Sequence, residues 1–160
     1  MNLRRWFGGA TLVALLALTA CGGGGGTATG NQGANASPAA GGSQGASLTV
    51  AGTDTLKFEP ATLTAPAGQD LTVTFNNPSS QPHNWVLVEP GQEAAVAQAA
   101  LANGGEVTAD TPGVIAATKI LQAGQNETIS VPALQAGTYQ YICTFPGHYQ
   151  AGMVGTLTVQ

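Results

Sequence analysis

The chain has 160 residues, only 8% of them charged, and four basic against eight acidic side chains give a formal net charge of −4. So few Lys and Arg exclude a phosphate-binding surface for nucleic acid. The length allows one domain with a core of its own rather than several.

At the N-terminus, Arg4 and Arg5 form a basic start and Gly8 to Ala17 a short apolar run. Leu18-Thr19-Ala20-Cys21 follows as a small-residue cleavage site. The run is shorter than the roughly 20 apolar residues of a membrane-crossing helix. Residues 1–20 therefore resemble a bacterial lipoprotein signal, with Cys21 lipidated and left as the mature N-terminus. An ordinary secretory signal that happens to carry a Cys is the alternative. Arg4-Arg5-Trp6-Phe7 partly matches a twin-arginine signal, so either export route stays open. Without the signal, Lys57 and Lys119 face eight carboxylates, a net charge of −6, which permits a positively charged redox partner. A thioether on Cys21 also leaves Cys143, the other of two cysteines, without a disulfide partner in an oxidising compartment. A bound metal would hold such a thiol.

From Gly22 to about Ser47 the chain is Gly, Ala, Ser, Asn, Gln and Thr with one Pro38 and no charge. No side chain there is large enough to offset the entropy of ordering. Residues 21–47 read as the lipidated Cys and a flexible tether, roughly 28 Å end to end for a Gly-rich coil. It serves either as a searching arm or as a plain spacer.

Residues 48–160 read as one domain. Period-2 and β-branched patterns recur at Leu48-Thr49-Val50, Leu56-Lys57-Phe58, Ala61 to Thr64, Asp70 to Asn76 and Asn84 to Val88. They continue at Val114 to Leu121, Glu127 to Val131, Thr138 to Ile142 and Val154 to Val159. Turn residues separate them at Pro66-Ala67-Gly68, Asn77-Pro78-Ser79-Ser80, Gly124-Gln125 and Gln135-Ala136-Gly137. Short strands punctuated this way predict an all-β Greek-key sandwich. Gln92 to Asn103 is Ala-rich, closes on Gly104-Gly105, and predicts a short helical insertion at 92–103.

The chemistry gathers in Cys143-Thr144-Phe145-Pro146-Gly147-His148-Tyr149-Gln150-Ala151-Gly152-Met153, with His83 upstream. Singly, a buried Cys or Met is most often core. Together, His83, Cys143, His148 and Met153 form the His₂Cys set with a weak thioether that suits a type 1 copper. The chain's only two histidines are both used. Cys143 ends one strand, Met153 starts the last, and His148 lies in the loop between. His83 follows the turn at Gln81-Pro82 and begins another strand. Four ligands thus converge at one end of the sandwich, where loops carry sites.

Three function classes compete. An electron carrier needs this one centre. A copper enzyme of the nitrite reductase or multicopper oxidase kind needs further His ligands, and no third His exists. A copper-binding or copper-delivery lipoprotein without a carrier role favours exposed, Met-rich or His-rich ligation.

At these residues the domain resembles the cupredoxins. His83-Asn84-Trp85 and Cys143 to His148 are similar to azurin motifs, and the four residues between His148 and Met153 match the plastocyanin interval. With the lipoprotein signal and tether, the whole most resembles the auracyanin group, membrane-attached blue copper proteins of filamentous phototrophic bacteria. The resemblance implies one copper per chain, a monomer, and single-electron transfer without enzymatic turnover. It implies a membrane quinol-oxidising complex as donor, a cytochrome or reaction centre as acceptor, and an extracytoplasmic membrane location. It further implies that Asn84 ties the His83 strand to the Cys143 loop near Thr144, positioning the ligands. An Asn bonding its own backbone is the plainer alternative. Phe145, Pro146, Tyr149, Ala151 and Met153 would form an apolar rim around His148 for brief docking.

Overall fold

The computed structural model describes residues 45–160. The signal, Cys21 and the tether up to residue 44 lie outside the described residues. Among the described residues nine strands form two sheets that face each other. In chain order they are β1 (Ala46–Gly52), β2 (Phe58–Glu59), β3 (Thr62–Ala65), β4 (Leu71–Asn76), β5 (Val86–Val88), β6 (Val114–Ala117), β7 (Asn126–Val131), β8 (Gly137–Ile142) and β9 (Val154–Val159). One sheet has the order β2-β1-β4-β7 and the other β3-β9-β8-β5-β6. The expected all-β sandwich is the fold.

Alternation explains most of the layering. In β4, Leu71, Val73 and Phe75 are buried while Thr72, Thr74 and Asn76 are half-buried on the outer face. There Thr74 meets Thr128 of β7 through a 2.9 Å hydroxyl contact. In β9, Gly155, Leu157 and Val159 point inward. Gly155 is needed because Tyr141 of the neighbouring strand occupies the space of its missing Cβ. Val50, Phe58, Val73, Phe75, Trp85, Leu87, Tyr141 and Leu157 are the centre of the core.

β5 departs from alternation, since Val86, Leu87 and Val88 are all buried. A second apolar layer accounts for this. The helix α1 (Glu93–Ala100) lays Val96, Ala97 and Ala100 against Val86, Val88 and Ile142. Burying a side chain such as Val96 stabilises by about 2 kcal/mol. A 3₁₀ turn over Leu101–Asn103 follows α1. Gly104 (φ 65°) and Gly105 (φ 98°) then leave the helix in left-handed conformations, and the Gly105 N–H closes on the Ala100 carbonyl at 2.9 Å.

Three expectations shift. β1 starts at Ala46, which pairs with Leu71, so Ala46 and Ser47 belong to the sheet and not the tether. Leu56 and Lys57 form a turn, because Thr53 closes on the Lys57 carbonyl with its N–H (3.0 Å) and its hydroxyl (3.1 Å). β6 stops at Ala117. Beyond it Leu121 makes only an isolated bridge to His83, which therefore precedes β5 rather than beginning it.

Candidate metal centre

Cys143 directly follows β8 and Met153 directly precedes β9, which pair in register up to Ile142 with Val154. The connection is a closed loop. Cys143 N–H donates to the Met153 carbonyl at 3.2 Å, Met153 N–H to His148 at 3.0 Å, and His148 N–H to Phe145 at 3.0 Å. Gly147 (φ 88°) supplies the left-handed residue that turns the chain tightly enough. His83 arrives from the other side, its N–H and carbonyl paired with Leu121 at 3.1 and 2.8 Å. Asn77 fixes that approach by donating to the Gln81 and Leu121 carbonyls at 2.7 and 2.8 Å.

These elements bring the predicted ligands together. His83 Nδ1 and His148 Nδ1 are 3.1 Å apart. Cys143 Sγ lies 3.5 Å from His148 Nδ1 and 3.9 Å from His83 Nδ1. All three donor atoms fall within 4.8 Å of one another, each on a buried residue. Met153 is fully buried in the same packed cluster as Cys143. His148, 5% exposed, alone of the four touches the surface.

Burial sets the protonation states. It lowers the pKa of His83, against the Thr53 backbone and the Asp54 charge, which raise it. It also lowers that of His148, and the neighbouring His83 adds to the effect. Both rings are therefore neutral near pH 7 and offer lone pairs. Burial pushes the Cys143 thiol up to about 11, while the backbones of Asn84 and Phe145 favour the thiolate. Two imidazole nitrogens and a sulfur on buried residues, within 4.8 Å of one another, suit a metal. Donors at about 2.0 Å (N) and 2.3 Å (S) from one ion have separations of this size. With Nδ1 given to the metal, the ring proton belongs on Nε2, and His83 Nε2 is buried without a hydrogen-bond partner among the described residues.

Asn84 does link the two halves. Its Nδ2 donates to Thr144 Oγ1 at 2.7 Å, and Thr144 N–H donates back to Asn84 Oδ1 at 2.8 Å. Sequence reasoning missed the third member. Thr144 Oγ1 donates to the Gly105 carbonyl at 2.6 Å, so the end of the helical insertion rests on the ligand loop. A Cβ on Gly105 would lie 2.8 Å from the Thr144 carbonyl oxygen and 2.9 Å from Phe145 Cα. The glycine pair was visible in the sequence only as a helix stop.

The family described as copper binding proteins, plastocyanin/azurin family, matches residues 45–160. Auracyanin-B of Chloroflexus aurantiacus is 43% identical over 113 residues, 66% of this chain and 48% of that protein. The chain thus spans about half of that relative's length. Auracyanin-A of the same organism is 42% identical over 110 residues, 65% of this chain and 67% of that protein. The crystal structure of dithionite-reduced auracyanin from Roseiflexus castenholzii superposes with a TM-score of 0.67 at 40% identity, covering 72% of this chain and 99% of that one.

Proposed function

The chain belongs to the plastocyanin/azurin family of copper-binding proteins, and on that premise we propose that it is a membrane-tethered carrier of single electrons. It is an auracyanin-like blue copper protein whose cofactor is copper. The observation that carries the proposal is the cluster of His83, Cys143 and His148 donor atoms within 4.8 Å on buried residues, with Met153 buried in the same packed cluster as Cys143.

Bound there, copper supplies a one-electron couple between Cu(II) and Cu(I), with no substrate bond made or broken. The chain's residues do the rest. The neutral imidazoles of His83 and His148 and the Cys143 sulfur would hold the ion, Cys143 giving up its thiol proton to do so. The Asn84–Thr144–Gly105 network fixes the ligands so that little has to move with the electron. Core packing around Met153 keeps water out. The buried ligands disfavour copper delivery, which needs an accessible site, and both histidines are spent on one centre, which disfavours an enzyme.

The exposed residues Pro146, Gly147, Gln150 and Ala151, with half-buried Phe145 and Tyr149, surround His148 and carry no charge. We assign this rim to brief docking with a quinol-oxidising complex as donor and a cytochrome or reaction centre as acceptor. Cys21 would hold the protein, a monomer, by lipid to the extracytoplasmic face of the membrane.

Copper titration tests the centre. The protein should turn blue through thiolate-to-copper charge transfer, and blue colour surviving Cys143→Ala would overturn the assignment. Ala151→Asp should slow transfer to the partner without changing colour, since a charge there must be desolvated on docking. Cys21→Ser should release a soluble, still blue domain or leave an uncleaved precursor.

A further inference from the structure

The turn between β1 and β2 holds no ligand, yet it touches both ligand-bearing segments. On one side it grips the approach to His83. Gly52 packs flat against the His83 ring, where a Cβ would lie 2.9 Å from Cδ2 and 3.1 Å from Cγ. The Asp54 carboxylate accepts both the N–H and the hydroxyl of Ser80 at 2.8 Å. Gln81 Nε2 donates to the Asp54 carbonyl at 3.2 Å. On the other side, Lys57 Nζ donates to the carbonyl of Gly152 at 3.0 Å, the residue that leads into Met153. The turn is also tightly specified. Leu56 takes a left-handed backbone (φ 56°) and is half-buried against the main core. An ordinary side chain in that region is strained and persists where surrounding contacts over-determine it. Here those contacts are the reciprocal Thr53–Lys57 bonds.

We propose that the turn 53–57 is a clasp that sets the position of Met153 relative to His83, with Lys57 as the positioning residue for Met153 and Asp54 for His83. The clasp rests on the copper-carrier reading for its functional meaning, because its consequence is how firmly the ion is held and how the thioether faces it. Neither lysine nor aspartate touches the donor atoms. Each acts through the backbone of a ligand-bearing segment, as residues behind metal ligands do.

The test compares Lys57→Met, Lys57→Arg, Asp54→Ala and Lys119→Met. Lys119→Met removes the same charge from a lysine with no hydrogen bond to the ligand loop. In copper-loaded protein, Lys57→Met and Asp54→Ala should each speed copper loss to a chelator by about tenfold and alter the relative intensities of the charge-transfer bands. Lys57→Arg should restore both, and Lys119→Met should match wild type. In metal-free protein, Lys57→Met should accelerate hydrogen exchange at the Met153 amide with the global unfolding midpoint unchanged. Equal effects of Lys57→Met and Lys119→Met on copper loss, or an unchanged Met153 exchange rate, would overturn the clasp. A colourless wild type with faster Met153 exchange in Lys57→Met would keep the clasp and overturn only the copper reading.

Discussion

Asn84→Ala should be among the most damaging changes that leave every ligand in place. Asn84 is fully buried and Thr144 is 2% exposed, so the bonds between them have no water to replace them. The substitution removes two short hydrogen bonds, at 2.7 and 2.8 Å, each contributing about 1 kcal/mol net, together with a long one to the Gly105 carbonyl at 3.5 Å. It also strands the Thr144 N–H in the interior, costing about 1–3 kcal/mol more. The Thr144 hydroxyl keeps its bond to Gly105 and adds no further penalty. The expected loss is thus about 3–5 kcal/mol, or a fall of roughly 12–20 °C in Tm for a domain of this size. Thr144→Val removes both bonds of the hydroxyl, at 2.7 and 2.6 Å, and leaves a buried Asn84 N–H without its short partner, so it should cost a comparable amount of about 3–5 kcal/mol. Urea denaturation of the metal-free domain, with m-values compared to exclude denatured-state effects, measures both. The reasoning is refuted if either substitution costs under about 1 kcal/mol.

Gly105→Ala should destabilise the domain and speed copper loss, because the left-handed backbone and the contact with Thr144 and Phe145 both resist a Cβ. Ala99→Gly, on the exposed side of α1, should weaken the helix by about 1 kcal/mol without changing the rate of copper release to a chelator. The metal-free domain should be most stable between about pH 6.5 and 9. The folded pKa of Cys143 is raised, so its contribution is complete below the ordinary value of 9.0 and is lost as pH rises through about 11. The histidine pKa values are lowered from 6.5, so their contribution holds above that pH and fades as pH falls. Denaturation midpoints across pH check both limbs. Met153→Leu should keep the blue colour and raise the reduction potential, since losing a weak thioether donor costs Cu(II) more than Cu(I); voltammetry reads the shift, and loss of all copper binding would show the thioether to be a strong ligand.

The ligand set was readable because type 1 chemistry needs four rare side chains, three of them in one eleven-residue run, and composition left no competitors. The outer strands were readable because they alternate. β5 was readable only as a strand; its fully apolar Val86-Leu87-Val88 does not reveal that a helix covers the second face. The supports of the site were hidden for a different reason. Gly105, Gly52, Asp54 and Lys57 act by bonding the groups of distant segments or by lacking a side chain, at separations of up to 95 residues. No local pattern marks a residue whose role is to bond a distant backbone. Leu56-Lys57-Phe58 read as strand because Leu and Phe flank a polar residue with period 2, whereas the Thr53 hydroxyl bends the chain first.

The direction of β1 gives the domain a polarity. The strand enters at Ala46 and runs seven residues to Gly52, which lies against the His83 ring, a span of roughly 20 Å. β9 runs the opposite way, from Met153 at the metal to Val159, and Gln160 there bonds Ala65 and Ala67. Ala46 therefore lies at the opposite end of β1 from the ligand cluster. A domain immobilised through Ala46 would present the His148 face away from the support, like a lamp hung by its base. Attaching the same domain through a residue of the 143–153 loop would turn that face toward the support and shield it from partners, while the centre itself stayed intact.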